Sequence, residues 1–177
     1  AGLTSTLVEM KQLGLDRETA RFTDGKNRHL EAIFKLYPWE EMMFEEFGPA
    51  ICALKPDYWF QPAWTMFLST KALSAALWHL YPNHPNLIPT YMYPDEARAR
   101  HDTMGMSEYV IKPLHAREGA NIELHGEGRH IVQPGGWGIE GYVIQEFCKL
   151  PDFTGSDHLH NRPVLGTWMV GDECYGL

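Results

Sequence analysis

The chain has 177 residues, of which 44% are hydrophobic and 21% charged, a balance typical of one globular domain and unlike that of a disordered protein. Its formal net charge of −8, without a stripe of Lys and Arg, argues against a nucleic-acid partner. No apolar run reaches the ~18 residues of a membrane span, so we expect no membrane partner either.

The cysteine pattern indicates whether the protein lies in a reducing or an oxidising compartment. Cys52, Cys148 and Cys174 are far apart and form no C-x-x-C pair, which disfavours a disulfide framework or a zinc cage and favours a reducing environment. The first residues lack the pattern of a signal peptide. We therefore expect a cytoplasmic protein in which Cys148 is a buried apolar residue and not a nucleophile.

The predicted elements begin with helices. Residues 1–20 are expected to form a short amphipathic helix that breaks at Gly14. Residues 29–37 mix helix and strand signals, and the alternation of their apolar side chains slightly favours a strand. Pro38 suits the first turn of a helix that ends at Gly48, and residues 69–80 have the strongest helical pattern.

The later part of the chain has the character of an antiparallel sheet, since short β-rich segments alternate with glycine-containing loops. These segments are residues 109–112, 121–124, 142–147 and 164–170. Gly171 and Asp172 predict a hairpin turn after the last segment. The order predicts one α+β domain over residues 1–177, with a helical and linking part at about 1–85 and a sheet at about 86–177.

Lys112 and the loop that follows it are the sharpest candidate site. Pro113 holds Lys112 in an extended conformation at the end of a strand. Successive N–H groups of a loop such as 117–121 can cradle an anion, and Arg117 adds a fork of donors. The alternative is a surface lysine followed by an ordinary hairpin loop, because no standard phosphate-binding glycine motif is present.

Lys71 is a second candidate cation. It falls in the first turn of the helix predicted at 69–80, where a positive charge is mildly unfavourable for the helix dipole. A bound anion would reverse that cost. The alternative is a lysine that is simply exposed to water.

Gln145, Glu146 and Phe147 end another apolar strand. A strand that leaves the sheet exposes backbone N–H and C=O groups, which can hydrogen-bond the edge of a purine while an aromatic ring packs on its face. A half-buried structural strand with Gln145 and Phe147 on one face explains the pattern equally well.

The histidines suggest a metal site only weakly. His158 and His160 lie near Asp157, but their spacing matches no structural zinc motif and the segment has the composition of a polar loop. We therefore expect no metal-binding residue in this chain.

Several phrases, taken in order, resemble one known family. They are 34–40 (FKLYPWE), 62–64 (PAW) with 71–73 (KAL), 84–87 (HPNL), 112–114 (KPL) with 117–121 (REGAN), 142–146 (YVIQE) and 166–173 (GTWMVGDE). From about Phe22 to Leu177 the chain resembles the glutathionylspermidine synthase family, in the form without an amidase domain. The resemblance implies a partial ATP-grasp fold, in which helices pack with an antiparallel sheet that forms the nucleotide cleft.

The resemblance also implies roles for individual residues. Lys71 and Lys112 correspond to lysines that bind the nucleotide phosphates. The flexible loop over the triphosphate corresponds to Arg117, Glu118, Gly119, Ala120 and Asn121. The strand that holds the adenine corresponds to Gln145, Glu146 and Phe147. We expect the loop to be mobile without ATP, because Gly119 relaxes the backbone and the loop has few large apolar anchors beyond Leu114.

The family activity implied is amide formation from a carboxylic acid and an amine through an acyl phosphate, with ATP and Mg²⁺. The acid could be a glutathione-like peptide and the amine a polyamine. The metal ligands and the arginine that stabilises phosphoryl transfer are expected outside this chain, so residues 1–177 alone are expected to be inactive. The alternative is a nucleotide-binding or structural relative without ligase activity.

Overall fold

The computed structural model describes residues 2, 4–46, 48–53, 58–155 and 159–176, with the backbone alone described at 51–53 and 58. Helices are α1 (Trp39–Met42), α2 (Gly48–Ala53), α3 (Met66–Ser69), α4 (Ala72–Leu80) and α5 (Asp95–Ala99), with 3-10 turns at Met10–Gln12 and Ala63–Thr65. Strands are β1 (Gly14–Asp16), β2 (Arg21–Thr23), β3 (Ala32–Phe34), β4 (Tyr58–Phe60), β5 (Thr90–Met92), β6 (Tyr109–Pro113), β7 (Glu123–Gly126), β8 (Arg129–Val132), β9 (Tyr142–Glu146), β10 (Trp168–Val170) and β11 (Glu173–Gly176). Helices and antiparallel strands confirm the predicted α+β class.

A five-stranded sheet in the order β5-β9-β6-β7-β8 organises the second half of the chain, and all its neighbours are antiparallel. Strand β9 pairs with β6 over five residues, from Tyr109↔Glu146 to Pro113↔Tyr142. Side chains alternate between the two faces of a strand, and paired residues share a face. The register therefore decides which chemical groups meet on each side of the sheet.

The sheet is covered by a helix on each face. Val143, 1% exposed, packs with Ala75 of α4. Its neighbour Ile144 is fully buried and packs with Ile111 and with Ala97 of α5. We call these sides the α4 face and the α5 face of the sheet.

A second cluster lies in the N-terminal part, around Phe22, Trp39 and Met42. The rings of Trp39 and Trp59 are 4.9 Å apart between centroids, and Phe22 meets Trp59 edge-on at 6.0 Å. The indole N–H of Trp39 donates to the carbonyl of Gln61 at 2.9 Å. Aromatic packing thus anchors α1, which leads into the candidate site described below.

The helix predicted before Gly14 is wrong, because the described residues there form only a 3-10 turn at Met10–Gln12, and β1 and β2 form a hairpin from Gly14 onward. The Asp16 carboxylate holds its turn by accepting the Glu18 N–H at 3.0 Å and the Thr19 hydroxyl at 2.6 Å. Gly14 permits the close pairing, since a Cβ there would lie 2.6 Å from the Thr23 hydroxyl oxygen. Local hydrogen bonds of this kind compete with helix formation.

Other predicted elements have mixed outcomes. The helix from Pro38 ends early at Met42, and Gly48 begins α2 instead of ending α1. Helix α4 and the strands near 109–112 and 142–147 are confirmed, as is the turn at Gly171 and Asp172 between β10 and β11. Among the described residues of the segment 1–85, four short strands accompany the helices. Across the described residues, no helix is both long and apolar enough to cross a bilayer.

Candidate functional site

Lys112 lies on the α4 face of the central strand β6, within a chain of hydrogen bonds that crosses the sheet. Its ammonium group donates to Gln145 Oε1 at 2.6 Å. The Gln145 amide donates to the Thr90 hydroxyl at 2.8 Å, which donates to the carbonyl of Ile88 at 2.8 Å. Because Thr90 is only 1% exposed, this chain orients the side chain of Gln145, and Gln145 orients Lys112.

Lys71 occupies the N-cap position of α4, where it is half-buried and not simply solvated as the alternative interpretation held. Its ammonium group donates to the carbonyl of Ala116 at 2.6 Å, and its backbone N–H donates to the carbonyl of Leu114 at 3.1 Å. Lys71 therefore connects the start of α4 to the segment that follows β6.

Burial and like charge act on both lysines. Burial lowers the pKa of Lys112 from its usual value, and the nearby positive charge of Lys71 lowers it further. For Lys71, burial is again the main cause of a lowered pKa, followed by the charge of Arg117, while Glu40 opposes the shift. An anion bound beside either lysine would raise its pKa again.

Lys35 joins this group and was not predicted as a site residue. It is 8% exposed, donates to the carbonyl of Tyr37 at 2.8 Å and lies 5.2 Å from the centroid of the Trp39 ring. Burial lowers the pKa of Lys35, Glu40 raises it and Arg117 lowers it. The available signal was its place in the phrase 34–40, which marked the resemblance but not the role of the lysine.

Glu40 is the carboxylate that faces these cations. It is 8% exposed, forms an ion pair with Arg117, and accepts a hydrogen bond from the Ser69 hydroxyl at 3.3 Å. Arg117 is therefore held to α1 across 77 residues of sequence, although its side chain is still 48% exposed.

An open cavity of about 590 Å³ adjoins this ion pair. Its lining includes Lys35, Trp39, Glu40, Gln61 and Arg117. This volume is in the range of small-molecule sites. Lys71 and Lys112 do not line the cavity. The candidate site therefore has two neighbouring regions among the described residues: the cavity, and the pair formed by Lys71 at the start of α4 and Lys112 on the α4 face of the sheet.

The loop expected over the triphosphate is only partly free to cradle an anion. Glu118, Gly119 and Asn121 have positive φ values of 54°, 75° and 55°, but Ala120 N–H donates to the carbonyl of Arg117 at 3.0 Å. The N–H of Asn121 donates to the carbonyl of Pro134 at 3.4 Å and its side chain to that of Trp137 at 2.5 Å. Asn121 therefore holds the loop against the segment before β9.

The loop is attached to the core at its start. Leu114 is 8% exposed and the small side chain of Ala116 is buried at 9%. This agrees with few large apolar anchors beyond Leu114, while the mobility of the loop stays a prediction.

The end of β9 differs from the expected purine-binding edge. Gln145 and Phe147 lie on the α4 face, and the exposed Glu146 side chain lies on the opposite face. The N–H of Glu146 donates to the carbonyl of Pro89 at 2.9 Å, and that of Phe147 to the carbonyl of Glu108 at 3.0 Å. The idea that these N–H groups are exposed is wrong, because pairing continues past the strand end.

Two other predictions concern the histidines near residue 158 and the burial of Cys148. Asp157 and His158 lie outside the described residues, while His160 Nδ1 is 2.6 Å from Asp152. Cys148 is exposed, so its predicted burial is wrong. It follows the last paired residues of β9, where side chains no longer face a covering helix.

Comparison with known proteins decides the family. The family model described as glutathionylspermidine synthase preATP-grasp matches residues 1–177. The chain belongs to the glutathionylspermidine synthase family. The resemblance seen from Phe22 to Leu177 is thus confirmed and extends to the first residue.

Curated relatives have names of ligases and synthetases. A Haemophilus influenzae protein, assigned by name only as an acid–amine ligase, is 36% identical over 184 residues, which cover 100% of this chain and 44% of that protein. The trypanothione synthetase of Crithidia fasciculata is 31% identical over 67% of the chain and 17% of its own length. The bifunctional glutathionylspermidine synthetase/amidase of Escherichia coli is 24% identical over 86% of the chain and 27% of its own length. The chain therefore spans less than half the length of these relatives.

Proposed function

We propose that the intact protein is an ATP-dependent carboxylate–amine ligase with an ATP-grasp fold, and that this chain supplies cations for the nucleotide phosphates. The observation that carries the proposal is the convergence of Lys35, Lys71 and Arg117 around one carboxylate, Glu40, with Lys112 near Lys71, in a chain of net charge −8. Burying like charges together is costly without an anion to neutralise them. Membership of this family supports ATP phosphates as that anion.

The chemistry fits such a cluster. A carboxylate is a poor acyl donor, and transfer of the terminal phosphoryl group of ATP to its oxygen gives an acyl phosphate and ADP. The amine nitrogen then attacks the acyl carbon, phosphate leaves and the nitrogen loses a proton. Lys71 and Lys112 would hold the phosphates in place and offset the charge that develops on them.

The end of β9 and the loop after β6 are assigned to the remaining parts of the nucleotide. Gln145 and Phe147 share a sheet face with Lys112, so we propose that this end of β9 lies along the adenine, with Phe147 packing on the ring. Glu146 would contribute through its backbone carbonyl, since its side chain is on the other face. Arg117, Glu118 and Gly119 remain the proposed loop over the triphosphate, anchored by Ala120 and Asn121.

Mg²⁺ does not fit this cluster by itself. The ion prefers oxygen ligands in octahedral geometry, whereas among the described residues of the cluster Glu40 is the carboxylate present and it is already paired with Arg117. We therefore derive no step through Mg²⁺ here and propose that its ligands lie elsewhere in the intact protein.

The substrate classes follow from the names of the relatives. A glutathionylspermidine synthetase joins a small peptide to a polyamine, so we propose a glutathione-like acid and a polyamine as the substrates of the intact protein. An enzyme should release phosphate from ATP only when both are present. ATP binding without acid- and amine-dependent phosphate release would favour the rival, a nucleotide-binding or structural relative.

The decisive residue test is Lys112→Met in the intact protein. Loss of a charge-assisted hydrogen bond should weaken binding of a non-hydrolysable ATP analogue by about 1–3 kcal/mol, measured by calorimetry. The matched control is Lys11→Met, because Lys11 is 79% exposed and pairs with Glu9. Unchanged affinity in a folded Lys112→Met protein would remove Lys112 from the site.

A further inference from the structure

Three polar side chains meet on the α5 face, on the side of the sheet opposite to Lys112. His125 of β7 and His130 of β8 are directly paired across the two strands. Glu123 lies two residues before His125 on the same strand and therefore on the same face. Neither the proposed ligase function nor the sequence patterns account for this group.

The turn between β7 and β8 sets this arrangement. Glu127 and Gly128 form its two central residues and have φ values of 52° and 69°, as a type I′ turn requires. Such a turn fixes the register, and a slip of one residue would move His130 to the other face. The turn is held from outside, since the Glu127 N–H donates to Glu108 Oε1 at 2.5 Å and its carboxylate is 2.7 Å from Lys149 Nζ.

The ligand atoms are close enough for one metal ion. Glu123 Oε1 is 2.7 Å from His125 Nε2 and 3.2 Å from His130 Nε2, and all three atoms lie within 4.8 Å of one another. A tetrahedral ion bound at about 2.0–2.1 Å needs ligand atoms roughly 3.3 Å apart. Small side-chain rotations, without movement of the strands, would reach that spacing.

Stacking keeps the two rings together. The centroids of the His125 and His130 rings are 4.1 Å apart with 23° between their planes, and Tyr109 stacks on His125 at 4.5 Å. Tyr109 is the partner of His125 on β6, so a third strand supports the pair. Binding of one ion by both imidazoles requires a ring to rotate out of the stack, because an imidazole nitrogen binds a metal in the plane of its ring.

The group is accessible from solvent. The side chains of Glu123, His125 and His130 are 33%, 30% and 55% exposed. An ion can therefore enter and keep water in the positions that the protein leaves open.

We propose that Glu123, His125 and His130 bind a divalent transition-metal ion of the Zn²⁺ type. Two imidazoles and one carboxylate suit Zn²⁺ or a similar ion, whereas Mg²⁺ prefers oxygen ligands. Strand β8 is the edge of the sheet and its residues are exposed. An ion shared by β7 and β8 ties this edge strand to the sheet from a position independent of the nucleotide.

The test is a calorimetric titration with Zn²⁺ of the intact protein, after a chelator has removed bound metal. Even outer-shell partners of a metal typically contribute about 10–100-fold to affinity, so His130→Asn and Glu123→Gln should each weaken one saturable site at least tenfold. His160→Asn is the matched control, because His160 is also an exposed histidine beside a carboxylate, Asp152, at 2.6 Å. It should leave that site unchanged.

A second readout separates binding at the hairpin from loss of folding. Zn²⁺ should slow amide hydrogen exchange in residues 129–132 of the unmodified protein but not of His130→Asn, while circular dichroism confirms that both are folded. Absence of a saturable site, or equal affinity in His130→Asn and the unmodified protein, would overturn the proposal.

Discussion

The two faces of the five-stranded sheet use the same strands for different chemistry. On the α4 face, Lys112 is half-buried and held by Gln145, and burial lowers the pKa of its ammonium group. On the α5 face, the solvent-accessible rings of His125 and His130 stack on each other beside Glu123. Because side chains alternate, neighbours in sequence such as Ile111 and Lys112 are separated by the sheet itself. A single hydrophobic layer can thus support two independent polar sites.

The largest expected effect concerns the layer that both faces share. Ile144→Ala should lower the free energy of unfolding by about 2–5 kcal/mol, because a fully buried side chain leaves a cavity against α5. Val143→Ala, on the α4 face, should cost less, roughly 2 kcal/mol, since fewer methyl groups are lost. Urea denaturation of the intact protein measures both.

Val132→Ala is the matched control for these core substitutions. Val132 is 64% exposed on the edge strand, so its loss should change stability by no more than about 0.5 kcal/mol. If Val143→Ala proved as mild as Val132→Ala, α4 would not be packed on that face.

A smaller effect is expected from the charge balance near the cavity. Glu40→Gln removes the carboxylate that competes with an anion for Arg117, Lys35 and Lys71. Arg117 is about half exposed, so the gain in affinity for a non-hydrolysable ATP analogue should be only about 0.5–1 kcal/mol. Calorimetry would show it, with the exposed Glu46→Gln as control. Weaker binding in Glu40→Gln would mean that Glu40 itself contacts the ligand or its metal ion.

The smallest effect concerns pH. The pKa of Lys112 is lower in the folded than in the unfolded protein, so the unfolded state binds more protons between these two pKa values. By linkage, the contribution of Lys112 to the free energy of unfolding rises with pH in that window, below about 10.5. Urea denaturation across it should show a smaller rise in Lys112→Met than in the unmodified protein.

Lys149→Met is the control for this pH dependence, since Lys149 is 73% exposed. It should keep the rise. If stability rose equally with pH in Lys112→Met and Lys149→Met, Lys112 would not be the source of the rise. Another buried cation such as Lys35 would then account for it.

Local patterns account for the parts that were predicted correctly. The apolar spacing of 69–80 predicts α4, and the β-rich runs near 109–112 and 142–147 predict β6 and β9. Strands β5 and β8 were missed because each is short and its apolar pattern is interrupted. The hairpin of β1 and β2 was missed because the side chain of Asp16 favours a turn within a sequence of helical period.

The sequence itself determined the family, the α+β class and the candidate residues Lys71, Lys112 and Arg117, because ordered phrases and local periodicity are properties of neighbouring residues. Only the tertiary structure decided that Arg117 meets Glu40, 77 positions away, that Lys35 joins the cations, and that His130 lies beside Glu123. These contacts depend on strand register, on turn conformation and on which helix covers which face. The contact of Arg117 with Glu40 arises from packing between distant segments, whereas the turn between β7 and β8 brings His130 beside Glu123 by setting the register.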